Sequence, residues 1–208
     1  RDQIAKDFVE DLGINCNLLP CAAIASGRFF ESKKLEQDSN KKYIAINFQK
    51  YGANSNWDQN IDSEKWLKTM RDVIKLLEKE HKLILLAHSR TEFELAKDLA
   101  PHIERIFPTN KFEYKNLISK VKLGLVSRIH AAIPFAGSGI PSVVIGTDTR
   151  INTLDLFGLP TSFVKETTSE WIITNLNNLL NNLNAEKDRL IDLRENTIKS
   201  YAEIFSNL

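Results

Sequence analysis

The feature that most constrains this chain is an alternation, repeated about six times, of short apolar runs rich in β-branched residues with amphipathic stretches. β-Branched side chains pack well on a pleated surface, whereas a 3.6-residue apolar period buries one face of a helix. Tyr43–Phe48 reads as the first strand, Lys82–Ala87 as the second and Arg105–Phe107 as the third; Leu123–Val126, Pro141–Ile145 and Ser162–Val164 follow. Between them, helices are expected over Ile61–Glu80, from Ser89 through Leu99, over Phe112–Val121, over Arg128–Ala136, and in a short segment through Leu156. Asp62 is the expected N-cap of the first of these, with Ile61 and Trp66 at the staple positions, and Ser89 to Glu92 forms a capping box. Thr174–Asn184 is rich in asparagine, but Leu176, Leu179, Leu180 and Leu183 keep a helical period; a last helix is expected over Ala185–Phe205. Strands joined through helices run parallel, and each crossover covers one face of the sheet. The predicted class is therefore α/β, a Rossmann-like doubly wound parallel sheet.

With 208 residues and 42% hydrophobic content, the chain can bury one substantial core. Its 28 basic and 27 acidic residues leave a net charge of +1, without the basic surplus of a nucleic-acid binder. No apolar run approaches the roughly 20 residues of a membrane span, and no signal peptide is visible. Two cysteines, Cys16 and Cys21, are too few for a disulfide framework, and the four histidines have no zinc-like spacing. The expectation is a reduced, cytoplasmic protein with no nucleic-acid partner, membrane span, metal or bound cofactor.

In open parallel sheets ligands bind beyond the carboxyl ends of the strands, where strand order reverses. For an order 3-2-1-4-5-6 that point lies between the first and fourth strands. The loops to weigh are Asn47–Gly52, Ser127–His130 and Gly146–Arg150. Ser127 reads as an N-cap with Arg128 at the first helical position and His130 at the third; Thr147 reads as a second N-cap, with Arg150 three residues on. First helical turns favour acidic residues, so a cation in that turn gives up a few tenths of a kcal/mol. Two helix mouths that both break the rule suggest an anion site built from Arg128, Arg150 and backbone N–H groups, with His130 placed to trade a proton.

Blander readings stand beside these. Arg128 could pair with a surface carboxylate, His81 and His102 sit at element ends in solvent, and His88, just after the second strand, could approach the site but is not placed in it. Gly124, Gly137, Gly139, Gly146 and Gly158 read as turn, packing and cap glycines, since no Gly-x-Gly-x-x-Gly follows the first strand. Cys21 reads as a small buried hydrophobe, and Trp57, Trp66 and Trp171 as packing residues, although Trp57 could stack on a sugar.

Leu123–Gly158, reading LGLVSRIHAAIPFAGSGIPSVVIGTDTRINTLDLFG, resembles the polysaccharide pyruvyl transferase family, as do Arg1-Asp2, Leu12-Gly13-Ile14 and Leu19-Pro20-Cys21-Ala22. Ala22 stands where the family pattern has a second proline, and Arg150 where it often has lysine. The resemblance implies the C-terminal half of a GT-B-like two-domain architecture and transfer of an enolpyruvyl-derived group from phosphoenolpyruvate to a saccharide. It implies Arg128 as the main anion clamp, His130 as general acid, and substrate contacts from Ser127, Arg150, Asn47 and Arg1. It also implies a division into residues 1–30 (a connection from a missing N-terminal domain), 40–184 (the Rossmann-like domain) and 185–208 (a closing helix), with little turnover by these residues alone. Two rivals are a GT-B glycosyltransferase using a nucleotide sugar, with Glu166 as a candidate ribose contact, and a non-enzymatic domain that binds partners or anionic glycans.

Overall fold

The computed structural model describes residues 2–30, 41–50 and 61–206. Arg1 and Trp57 lie outside them. Six parallel strands are β1 (Tyr43–Asn47), β2 (Lys82–Leu86), β3 (Arg105–Ile106), β4 (Val121–Val126), β5 (Ser142–Gly146) and β6 (Thr161–Phe163). Their order in the sheet is β3-β2-β1-β4-β5-β6, the order on which the switch-point argument depends, and the reversal falls between β1 and β4. There Ile46 pairs with Leu125 and Asn47 with Val126.

Strand period splits the core into two layers. Ile44, Ile46, Leu85, Leu123, Leu125 and Val143 join one cluster, whereas Ala45, Ile84, Leu86, Val126 and Val144 join the other. The first layer is covered by α3 (Ser63–Leu77), α4 (Arg90–Leu99) and α7 (Ser169–Asn181). The second is covered by α5 (Lys111–Ile118), α6 (Ile129–Gly137), α8 (Leu183–Ser206) and a 3-10 turn at Ala22–Ser26 that runs into α2 (Gly27–Phe30). Near the N-terminus, α1 (Gln3–Asp11) is capped by Asp2 and closed by Gly13 at φ 77°, and it buries none of its residues.

The caps explain where elements start. The Asp62 side chain accepts from Lys65 N, that of Ser89 from Glu92 N, and that of Asn110 from Phe112 N and Glu113 N. Thr168 caps α7 by accepting from Trp171 N, so this helix starts at Ser169 rather than Thr174. Val121, expected at the end of a helix, opens β4 instead: α5 stops at Ile118, and Val121 pairs with Tyr43. α8 is anchored by fully buried Leu190, by Arg194 Nη1 donating to Gly137 O at 2.8 Å, and by Tyr201 Oη donating to Pro20 O at 3.0 Å.

Candidate active site

At the switch point the β1–β4 ladder runs one residue past the strands: Ser127 N donates to Asn47 O at 3.0 Å. Ser127 therefore continues the sheet and does not cap α6. The cap residue is Arg128, in extended conformation (φ −114°, ψ 125°), and its carbonyl accepts from Ala131 N and Ala132 N. Ile129 and His130 are the first two helical residues, and His130 is exposed. The expected placement of Arg128 at the first helical position is thus corrected by one residue, because its side chain turns back beneath the helix mouth to a buried partner.

That partner is Glu92. Its carboxylate, 5% exposed, accepts from Arg128 Nε at 2.6 Å and from Arg128 Nη2 at 2.5 Å. It also accepts from His88 N at 2.7 Å, Gln49 Nε2 at 2.8 Å and Asn47 Nδ2 at 3.0 Å. Donors from the carboxyl ends of β1, β2 and β4 thus converge on one side chain at the start of α4. Burial pushes the Glu92 carboxyl upward, but the bonds from His88 N–H, Arg128 and Gln49 outweigh it and hold the group ionised, below the usual carboxylate range. The capping-box reading is half right. Ser89 caps α4, but the Glu92 carboxylate reaches past the Ser89 N–H to His88 and the buried network.

His88 lies in the same cluster, Nδ1 3.9 Å from Glu92 Oε2, with both ring nitrogens buried and unpartnered. Burial lowers its pKa to about 4; Glu92 opposes this, and the charges of Arg128 and His130 add to it. The ring of His88 also neighbours Tyr114, at 6.1 Å between centroids, whose buried hydroxyl is raised well above the ordinary phenol range by desolvation.

The structure brings Asn47, Ser127, Arg128 and His130 to one helix mouth, with Glu92, Gln49 and His88 beneath it. Asn47 is 1% exposed, and its amide is spent on Leu86 O and Glu92, so it braces the carboxylate from below. Arg150 stands apart. The side chain of Asp148, not of Thr147, caps the 3-10 segment Thr149–Phe157, and Arg150 bonds that same carboxylate through Nε at 2.8 Å and Nη2 at 2.6 Å. Among the described residues, no contact ties Arg150 to Glu92 or Arg128. The picture of two arginines on bare helix mouths is therefore corrected: each already holds a carboxylate. Glu166 lies elsewhere, in a cleft of about 450 Å³ after β6, together with Asn152, Ser162 and Trp171. Trp66 is buried, its indole N–H donating to Gln49 O at 2.9 Å.

Glu92 was hidden in the sequence because its spacing to Ser89 already has a local explanation. The signal was its place: an acidic residue just beyond β2, beside the β1–β4 reversal, level with an arginine just beyond β4. No group of three or more His, Cys, Asp or Glu side chains in metal-binding arrangement occurs among the described residues. Nor is any helix among them long and apolar enough to cross a membrane.

Fold and site together define a Rossmann-like α/β unit whose structural neighbours are GT-B-type glycosyltransferases and epimerases. A putative UDP-N-acetylglucosamine 2-epimerase from Listeria monocytogenes superposes with a TM-score of 0.63 at 14% identity, over 100% of this chain and 59% of that one. The Methanocaldococcus jannaschii UDP-GlcNAc 2-epimerase, in complex with UDP-GlcNAc and UDP, gives 0.59 at 18% identity, over 86% and 53%. The E. coli heptosyltransferase WaaC with ADP-2-deoxy-2-fluoro heptose gives 0.54 at 15% identity, over 82% and 53%. The chain spans little more than half the length of these neighbours, and at such identities they speak for the fold alone. No curated protein matches the sequence significantly. The polysaccharide pyruvyl transferase family profile matches residues 1–149 of the 208, and the chain belongs to that family.

Proposed function

We propose that this chain carries the donor-binding centre of a pyruvyl transferase that forms a pyruvate ketal on a polysaccharide sugar, with phosphoenolpyruvate as co-substrate. The observation that carries the reading is the pairing at one helix mouth of Arg128, held in a fixed orientation by buried Glu92, with exposed His130. Because the chain spans 53–59% of the neighbours' length, the complete reaction is proposed for the whole protein.

In this reading the guanidinium of Arg128 binds the donor's carboxylate or phosphate while still held by Glu92, and the N–H groups at the start of α6 add to the anion site. His130 gives a proton to the methylene carbon as a sugar hydroxyl bonds to the adjacent carbon and releases its own proton to solvent, converting the enol ester into a tetrahedral adduct. The bond from that carbon to the phosphate oxygen then breaks, inorganic phosphate leaves, and a second hydroxyl of the same sugar closes the ketal with loss of its proton. No metal enters these steps. Ser127 and Arg150 are proposed as secondary substrate contacts, as is Arg1, and the setting is cytoplasmic.

The test is phosphate release from phosphoenolpyruvate in the presence of acceptor saccharide, by the whole enzyme. His130→Ala should lower kcat by about 10²–10⁴ with little change in stability, since the residue is exposed. Arg128→Lys should mainly raise KM for the donor, because a point charge does not reproduce the planar guanidinium. Wild-type kcat in His130→Ala would remove it from the mechanism. A second reading, a GT-B glycosyltransferase with a nucleotide-sugar donor, is favoured by the placement of Glu166 in the cleft beyond β6.

A further inference from the structure

A ladder of aromatic rings leads from the candidate site to the surface. His88 and Tyr114 are 6.1 Å apart between centroids, Tyr114 and Phe30 5.6 Å, Phe30 and Phe29 5.4 Å, and Phe29 and Phe112 6.3 Å. The inner members are packed into the core layer, but Phe29 is 42% exposed and Phe112 66%. The outer pair is flanked by cations: Lys111 Nζ lies 5.3 Å from the centroids of both rings, and Lys115 Nζ 5.4 Å from that of Phe29. Glu113, the acidic residue between these lysines, is turned into the helix cap by bonds from Thr109 N, Thr109 Oγ1 and Asn110 Nδ2. Among the described residues, exposed Lys111 is therefore the cation that lies over both rings, while Lys115 Nζ also donates to Phe29 O at 3.1 Å. The patch stands on the first turns of α5, which follows β3 and so opens at the carboxyl pole of the sheet, the pole of Arg128 and His130.

Exposed rings with an ammonium group at their centre suit few partners. Cores of protein–protein interfaces are depleted in lysine, so a lysine over both rings argues against a protein partner. A sugar chain with carboxylate groups fits both halves: the C–H faces of its rings lie on Phe29 and Phe112, and a carboxylate meets Lys111. We propose that the Phe29–Phe112–Lys111 patch binds the acidic saccharide chain of the acceptor at units beyond the one being modified. This rests on the pyruvyl transferase reading for its biological sense, but not for its test.

The test is retardation of the native protein in gels containing polygalacturonate, with dextran as the neutral control and no phosphoenolpyruvate present. The expected result is selective retardation by polygalacturonate, weakened at least about 5-fold in apparent Kd in both Phe112→Ala and Lys111→Ala, with thermal unfolding unchanged because both side chains are at the surface. Equal retardation by dextran and polygalacturonate would overturn the proposal, as would wild-type affinity for polygalacturonate in both variants. Loss in Lys111→Ala with none in Phe112→Ala would also overturn it, because charge alone would then account for binding. Since donor chemistry is not read, this result stands or falls independently of whether Arg128 binds phosphoenolpyruvate. With an active enzyme, Phe112→Ala should raise KM for polymeric acceptor and leave KM for phosphoenolpyruvate unchanged.

Discussion

Glu92 is a carboxylate that burial alone would favour protonating, yet four neighbouring groups donate to it. Breaking a buried pair from one side strands a charge, at a typical cost of about 3–5 kcal/mol. Glu92→Ala and Arg128→Ala should each destabilise by roughly that amount in urea unfolding, and the double variant by much less than the sum, because the second substitution removes the charge the first strands. Additive losses would show the pair to be energetically independent. His88 gives a pH signature. Its pKa is lowered to about 4 from an ordinary 6.5, so below pH 6.5 the unfolded chain takes up a proton that the native state refuses. Stability from this residue is full above pH 6.5 and falls as pH drops toward 4, by about 2 kcal/mol between pH 7 and pH 5. Unfolding midpoints at those two pH values should show His88→Asn losing less stability than the native protein; equal losses would contradict the assignment. At this scale the sequence was only partly legible. Arg128 and His130 stood out because they broke the acidic preference of a first helical turn. Glu92, Gln49 and His88 broke no local rule, and only the fold brings them under Arg128.

Elements were more legible, because their signals are local: the caps at Asp62 and Ser89 and the core periodicities follow from neighbours in sequence. Boundaries moved where tertiary pairing decided them, as at Val121, which joins β1, and at Ser127, whose N–H stays in the ladder. The short helical segment at 22–30 is set by something no periodicity reveals, a backbone crossing with α6. A Cβ on Gly27 would lie 1.6 Å from Gly137 O, and one on Gly137 2.1 Å from Ile24 O. Both neighbours are backbone, so neither can swing aside. Gly27→Ala should cost at least about 3 kcal/mol, the upper end of overpacking penalties, or roughly 6–12 °C in Tm for a chain of this size. Gly13→Ala, with open space around its Cβ but φ at 77°, should cost only about 1–2 kcal/mol from backbone strain. Similar losses at the two positions, measured by thermal unfolding, would show that the crossing is not tight in solution.

For the molecule as a whole, the parallel sheet and the two-layer core follow from the alternation, since a parallel sheet must be covered on both faces, whereas the strand order is not fixed by it. The surroundings of the candidate anion site become visible only in the fold. Both candidate arginines turn out to hold carboxylates, and what sets Arg128 apart from Arg150 is the burial of its partner: the Glu92 side chain is 5% exposed and that of Asp148 17%. That difference ties the Arg128 side chain to a buried partner and leaves Arg150 in a surface pair. Binding of phosphoenolpyruvate at the Arg128–His130 mouth can be measured by calorimetric titration, which needs no turnover. The protein should bind phosphoenolpyruvate in preference to UDP- and ADP-sugars, and Arg128→Ala should weaken this at least tenfold, about 1.4 kcal/mol. Binding of a nucleotide sugar with none of phosphoenolpyruvate, or phosphoenolpyruvate affinity unchanged in Arg128→Ala, would contradict the proposed donor site.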